Sequence, residues 1–333
     1  MATYFITGIS GLVGSNLVRA IFAHEKEATV VGLVFPNDPC PYLDKDKMTL
    51  VEGNILDMGS LKSFLKTKVP EGKRYLIHAA GRISVYRNND DLTYKVNVEG
   101  TRNVLEEAKS ARIDRFLFLS SVDALDKVPM GQEIFEQSSY DPVHLEGVYS
   151  RSKAIASQMV LDSGLDCIIV NPSAILGPYD PAHNPIDDAI KRFLNNKLPA
   201  VVKGSYDLVD VRDVAEGILL LLENGKSRES YLLTGHQYSI LDFMGVVARV
   251  SGKKPVRHKV PTSLVKIASP FIEFSAKKRG KSPLFTSFAI DCLQQNSAYS
   301  HAKASALGYA PRPLEETVED TVQWMKESGY LDR

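Results

Sequence analysis

Short apolar runs alternate with stretches of helical periodicity through the first half of the chain. Thr3–Thr7 (TYFIT), Thr29–Val34, and residues 48–52, 75–79, 116–119 and 167–170 read as strands. None of them alternates apolar with polar, the mark of strands covered on both faces of a parallel sheet. Between them the spacing predicts helices over Leu12–His24, 91–111 and 149–163. Right-handed crossovers then give an α/β fold with a doubly wound parallel sheet.

The pattern changes after Asn171-Pro172. Prolines cluster at Pro172, Pro178, Pro181 and Pro185, a loop-rich exit from the sheet. A short strand over 209–211, a helix over 214–222 and a strand over 231–234 follow. Further helices are expected over Ile240–Ser251, 262–278 and 314–326. The expected organisation is a dinucleotide-type sheet domain over 1–170, with 205–228 returning to it, and a smaller, mostly helical lobe over 171–333.

Composition narrows the function classes. The 333 residues are 44% hydrophobic, and 40 basic side chains balance 40 acidic ones. That balance argues against a nucleic-acid or anionic-membrane surface, which needs a basic excess. The three cysteines Cys40, Cys167 and Cys292 lie far apart and form no zinc or disulfide pattern, so no metal is expected and a reducing compartment fits. No signal sequence opens the chain, and no apolar run spans a bilayer. A soluble, cytoplasmic protein is the expectation.

The first strand runs into Thr7-Gly8-Ile9-Ser10-Gly11-Leu12-Val13-Gly14 and then an amphipathic helix. Gly8 can take the positive-φ turn, Gly11 leaves room for a pyrophosphate, and Gly14 lets helix and strand pack closely. The helix start offers free N–H groups and a positive dipole end to phosphate. Gly8, Ser10, Gly11, Leu12 and Val13 are therefore candidate dinucleotide ligands.

Tyr149-Ser150-Arg151-Ser152-Lys153 sets a phenol and an ammonium four residues apart on one helix face. A phenol is a poor proton donor–acceptor at neutral pH unless a neighbouring cation lowers its pKa. Ser120-Ser121 end the fifth strand, where a hydroxyl can polarise a substrate carbonyl.

The ordered set of TGxxGxxG at Thr7–Gly14, Asn97-Val98-Glu99-Gly100-Thr101, Ser120-Ser121 and YxxxK at Tyr149–Lys153 resembles the extended short-chain dehydrogenase/reductase family. Among its branches, the stretch from Asn171 to Asp180 and the LLTGHQYS segment are most similar to the dihydroflavonol-reductase-like one. The resemblance implies a Rossmann domain and a hydride-transfer site. Tyr149 would be the general acid–base, and Lys153 would hold the nicotinamide ribose and lower the Tyr149 pKa. Ser121 would bond the reacting oxygen, and Asn97 would act through a helix kink. It further implies cofactor contacts at Asn54 and Ile55 beside the adenine, at His78, Ala79 and Ala80 beside the ribose, and at Asn171 and Ser173 near the nicotinamide. A homodimer through residues 91–111 and 149–163 is an expectation of the same kind.

The second strand ends Leu33-Val34-Phe35. Neither the acid that marks NAD nor the arginine that marks NADP stands there. The cofactor is NADP or NAD, with NADP placed first. Tyr206 stands where nucleotide-sugar enzymes of the family carry an arginine for the substrate diphosphate, although Arg82, Arg87 or Lys191 could substitute. The function expected is an NAD(P)-dependent reductase or dehydrogenase for a mid-sized, fairly apolar small molecule. The alternatives are a nucleotide-sugar epimerase or dehydratase, with Asp123 as an added acid–base, and a dinucleotide sensor without turnover.

Overall fold

The computed structural model describes residues 1–88, 90–182, 184–265 and 287–332. Of the helix expected over 262–278, only 262–265 falls within the described residues, and those four are helical.

Seven parallel strands form the main sheet: β1 (Thr3–Thr7), β2 (Thr29–Val34), β3 (Thr49–Glu52), β4 (Arg74–His78), β5 (Arg115–Leu119), β6 (Cys167–Pro172) and, from late in the chain, β10 (Glu229–Leu233). Their order is β10-β6-β5-β4-β1-β2-β3. The reversal of direction around β1 and β4 makes the doubly wound topology, and it opens a crevice at the carboxyl ends of those two strands.

The absence of alternation in the strand sequences has a direct cause. Tyr4 and Ile6 of β1, Tyr75 and Ile77 of β4, and Leu117 and Leu119 of β5 enter one apolar core. The residues between them, Phe5, Leu76, Phe116 and Phe118, enter a second core on the opposite face. Successive side chains of a strand point to opposite faces, so covering both faces demands apolar residues throughout.

On the first face lie α1 (Leu12–His24) and α7 (Val211–Asn224), which pack against each other. On the second lie α2 (Met58–Leu65), α4 (Gly100–Ser110) and α5 (Val148–Leu161). The helix expected over 91–111 is three segments in one rod. An α-turn α3 (Asp91–Tyr94) leads into a π-helical stretch at Lys95–Glu99, and then α4.

Two small sheets form in the C-terminal half, and of their strands only β9 overlaps one that the sequence announced, at 209–211. One pairs β7 (Ala174–Leu176) with β9 (Ser205–Asp210) and β11 (His236–Ser239), and the other pairs β8 (Ala200–Val202) with β12 (His258–Val260). They are short, and several of their residues are half-exposed, so periodicity is weak there. With α6 (Pro185–Leu194), α8 (Ile240–Ser251) and the helix Leu314–Glu327 they enclose a third apolar core.

Candidate active site

Five loops leave the same edge of the sheet and meet there. The first is the glycine turn after β1. Gly8 has φ 73°, and a Cβ on it would lie 2.6 Å from the Ala80 nitrogen, so no other residue fits without displacing the end of β4. A Cβ on Gly14 would lie 2.6 Å from Ile9 Cα, so α1 starts as close to the strand as backbone allows. Gly11 is the N-cap of α1, no side chain caps it, and the first turn carries no acid. The dipole end and the N–H groups of Leu12 and Val13 are thus not capped by a side chain of α1, and a pyrophosphate fits this cradle.

His78 and Asn171 sit one layer beneath the positions expected of them. His78 is fully buried, with Nδ1 2.7 Å from Thr7 Oγ1 and Nε2 3.0 Å from Thr101 Oγ1. With one nitrogen held by the end of β1 and the other by α4, its side chain braces the glycine turn. Burial first, and the Lys153 charge second, push its pKa down to about 3, so it is neutral. Asn171 is also fully buried; it donates to the Ser121 carbonyl at 2.8 Å and accepts from the Tyr140 hydroxyl at 2.9 Å. Its role is to hold the Ser121 loop. Ile55 likewise turns its side chain into the core, against Gly100. Asn54 spends its Oδ1 on the Leu56 N–H at 2.9 Å, closing its own turn. Ala79 and Ala80 line the turn beside Gly8, and Ser173 is buried with its hydroxyl beside the Asp207 carboxylate.

The two serines after β5 divide their roles by direction. Ser120 Oγ is 2.7 Å from Ser157 Oγ on α5, a buried strut. Ser121 Oγ accepts from the Asp123 N–H at 3.1 Å and stands beside the Tyr149 phenol. Burial raises the Tyr149 pKa, the Asp123 carboxylate raises it further, and the Ser121 hydroxyl opposes the rise. The expected lowering by Lys153 is absent from these influences. Instead the Lys153 ammonium donates to the Leu119 carbonyl at 2.7 Å and lies 4.8 Å from the Phe118 ring centroid. Lys153 is 4% exposed, and burial brings its pKa down to about 7.

Asn97 falls in the π-helical stretch. The wider turn points its amide across to α5, where it donates to Ser152 Oγ at 2.9 Å and to the Arg82 carbonyl at 2.9 Å; its Oδ1 accepts from the Arg82 N–H at 2.8 Å. Gly81 is the meeting point: a Cβ there would be 3.1 Å from Lys153 Nζ and 3.5 Å from Asn97 Oδ1. Asn97 therefore locks the β4 loop to the helix that carries Tyr149 and Lys153.

An apolar cavity of about 110 Å³ opens in the C-terminal half, lined by residues that include Leu198, Val202, Tyr206, Leu208, Phe243 and Met244. No charged side chain lines it among the described residues. Tyr206, half-buried in its wall, feels the Asp123 carboxylate, and so does Tyr149. Of the cations considered for a diphosphate, Arg87 is held between Glu146 and Asp291, at 2.7 Å from each, and Arg82 faces Asp90 at 3.8 Å. Lys191 lies 5.1 Å from the Tyr330 ring. Among the described residues no cluster of His, Cys, Asp or Glu could hold a metal, and no helix is long and apolar enough to cross a membrane.

Residues 4–235 match the model of the NAD-dependent epimerase/dehydratase family. A Synechocystis sp. protein provisionally named dihydroflavonol 4-reductase is 32% identical over 98% of this chain and 96% of its own. Sterol demethylase protein B of Methylococcus capsulatus is 28% identical over 99% and 100% of the two chains. The crystal structure of gox2253 superposes with a TM-score of 0.83 at 31% identity, over 98% of each chain. With this match over two thirds of its length and the strand-end geometry above, the chain belongs to the NAD-dependent epimerase/dehydratase family, as an NAD(P)-dependent oxidoreductase of the extended short-chain type.

Proposed function

We propose that the protein interconverts a carbonyl and an alcohol on a mid-sized, largely apolar substrate, with Ser121, Tyr149 and Lys153 as its reacting and binding groups. The observation that carries this reading is the cavity of the C-terminal half, whose described lining is mostly apolar and carries no charged side chain. Removing apolar surface from water stabilises by roughly 25 cal/mol per Å², so such a wall favours an apolar body over a sugar diphosphate. The names of relatives, a sterol demethylase protein and a farnesylated-quinoline ketoreductase among them, fit the same reading.

The bound dinucleotide supplies or accepts the hydride. Ser121 Oγ and the Tyr149 hydroxyl converge on the substrate oxygen and stabilise the charge that develops on it. Tyr149, a phenol protonated at neutral pH, donates its proton to that oxygen during reduction. In oxidation the proton returns to it. With a dinucleotide bound, the Lys153 ammonium beside Gly81 would hold the nicotinamide ribose, and Ala79, Ala80 and the start of α1 would hold the remainder.

The epimerase reading lacks the guanidinium at Tyr206, and Arg87 is committed to two carboxylates. The sensor reading has no support from the site, since all three reacting residues are present. The test is a panel of apolar ketones, hydroxysteroids and isoprenoid alcohols alongside UDP-sugars, followed through reduced-nicotinamide absorbance and product analysis. Inversion of a UDP-sugar without net change in the cofactor, and no turnover of any apolar substrate, would refute the proposal. The protein also pairs with a second copy in this reading, through the face where Leu92 and Tyr94 are exposed.

A further inference from the structure

We propose that the C-terminal half docks on anionic lipid membranes through one basic face, built on the paired strands β8 and β12 and the loops that flank them. The docking is independent of the reaction proposed above. Only its purpose, bringing an apolar substrate to the protein, rests on that reading.

The balance of 40 basic and 40 acidic side chains conceals a segregation. Residues 196–203 and 252–265 carry Lys197, Lys203, Lys253, Lys254, Arg257 and Lys259 and not one Asp or Glu, which leaves the rest of the chain acidic. The two segments are far apart in the chain, and the fold lays them side by side. β8 and β12 pair in parallel, Ala200 with His258 and Val202 with Val260. The Lys253 ammonium donates to Asn196 Oδ1 at 3.2 Å and ties the segments together ahead of the strands. Lys197, Lys203, Lys254, Arg257, His258 and Lys259 are all exposed.

Cations further back on the same lobe are neutralised. Arg192 on α6 pairs with Asp188 at 2.8 Å, and Arg249 on α8 pairs with Glu315 at 2.6 Å. Among the described residues, no carboxylate pairs with Lys197, Lys203, Lys254, Arg257 or Lys259. A lysine on an edge strand guards it against pairing with another chain. That accounts for Lys259 on β12, but Lys197, Lys203, Lys254 and Arg257 lie outside both strands.

Clusters of about four to eight Lys and Arg bind membranes that carry anionic headgroups. Two features favour a membrane over another polyanion. Leu264, in the turn that follows β12, is 57% exposed and sets an apolar side chain at the end of the basic segment. An apolar group next to cations suits the boundary between headgroups and acyl chains. The second feature is β8 itself, whose Ala200, Val201 and Val202 line the apolar cavity. A wall of that cavity is thus hydrogen-bonded to the strand that carries exposed cations, and docking through this face brings the cavity close to lipid. The attachment is peripheral and weakens with salt.

The experiment is vesicle co-sedimentation of the full chain, without substrate or dinucleotide. Binding to vesicles of phosphatidylcholine mixed with phosphatidylglycerol should exceed binding to phosphatidylcholine alone at least about tenfold, and should fall as salt is raised. The triple variant Lys254→Glu, Arg257→Glu, Lys259→Glu should lose this binding, and so should the separate pair Lys197→Glu, Lys203→Glu, each checked for folding by denaturant unfolding. Lys62→Glu, Lys66→Glu, Lys68→Glu makes the same change in net charge on α2 and the loop after it, and should keep the binding. Leu264→Ala leaves every charge in place and should weaken binding at least about threefold. No preference for anionic vesicles, or an equal loss in the α2 variant, overturns the proposal. An unaffected Leu264→Ala variant, or tighter binding to polyglutamate or duplex DNA than to anionic vesicles, overturns it in favour of a soluble polyanion. Because no turnover is measured, failure of the apolar-carbonyl reading and failure of membrane docking are told apart.

Discussion

The side-chain amide of Asn97 donates to Ser152 Oγ at 2.9 Å, and Ser152 Oγ in turn donates to the Tyr149 carbonyl at 2.8 Å. A π-helical turn on one rod thereby fixes the first turn of the helix that carries both Tyr149 and Lys153.

Asn97→Leu should damage stability and rate together. It takes the donor from the buried Ser152 hydroxyl, at a cost of roughly 1–3 kcal/mol, and releases the Arg82 peptide from α5. Denaturant unfolding should show the loss, and the fall in kcat should exceed the change in KM, because Tyr149 and Lys153 lose their placement while the cavity is untouched. An unchanged kcat in a destabilised variant would reduce Asn97 to a purely structural residue.

Tyr149→Phe removes the proton donor but fills the same space. Carbonyl reduction should fall at least about 10²-fold, the usual reach of general acid catalysis, with dinucleotide affinity nearly unchanged. Ser121→Ala should cost about 10²-fold in kcat, as expected for one donor to a developing oxyanion. Ser120→Ala breaks a strut to Ser157 and should show up in stability more than in rate. Equal kinetic losses for the two serines would contradict their division of roles.

Lys153 gives a pH signature in stability. Its folded pKa is depressed to about 7 by burial, below the ordinary lysine value of 10.5. Between these values the unfolded chain binds the extra proton, so stability rises with pH across that window and the penalty of burying the ammonium is fully present below it. Subtracting the profile of Lys153→Met from that of the cofactor-free wild type should isolate this rise. Parallel profiles from pH 7 to 10 would show that the lysine is not depressed.

Met244 lines the cavity, and Met244→Trp should fill part of it. The variant should lose kcat/KM for bulky apolar substrates and keep it for a small aldehyde. A uniform loss for both would mean that the cavity does not receive the substrate.

Much of the sheet was legible because burial on both faces imposes a simple rule on sequence. TYFIT and RYLIH are apolar nearly throughout, since one set of side chains enters each core. The glycine turn was legible because Gly8 and Gly14 sit where a Cβ would strike backbone. The small sheets of the C-terminal half were not, apart from the end of β9. Their strands are as short as three residues, and partners such as Ala174 and Leu208 lie far apart in the chain.

What the sequence determined by itself was which chemistries are available: a phosphate-accepting turn, a phenol with a lysine one helical turn on, and a strand-end hydroxyl. Tertiary structure decided what each does. Ser120 and Ser121 are adjacent in the chain, yet the pleat sends one to Ser157 and leaves the other beside Tyr149. His78 and Asn171 carry polar side chains at strand ends, but the packing above them turns both into buried braces. Asp38 lies beyond the end of β2, and only the back-turn at Asn37 and the anchoring of Cys40 bring its carboxylate to Ser10. Spacing along a chain sets which side chains can share one element. Which of them meet across elements depends on burial and direction, and those exist only once the layers have packed.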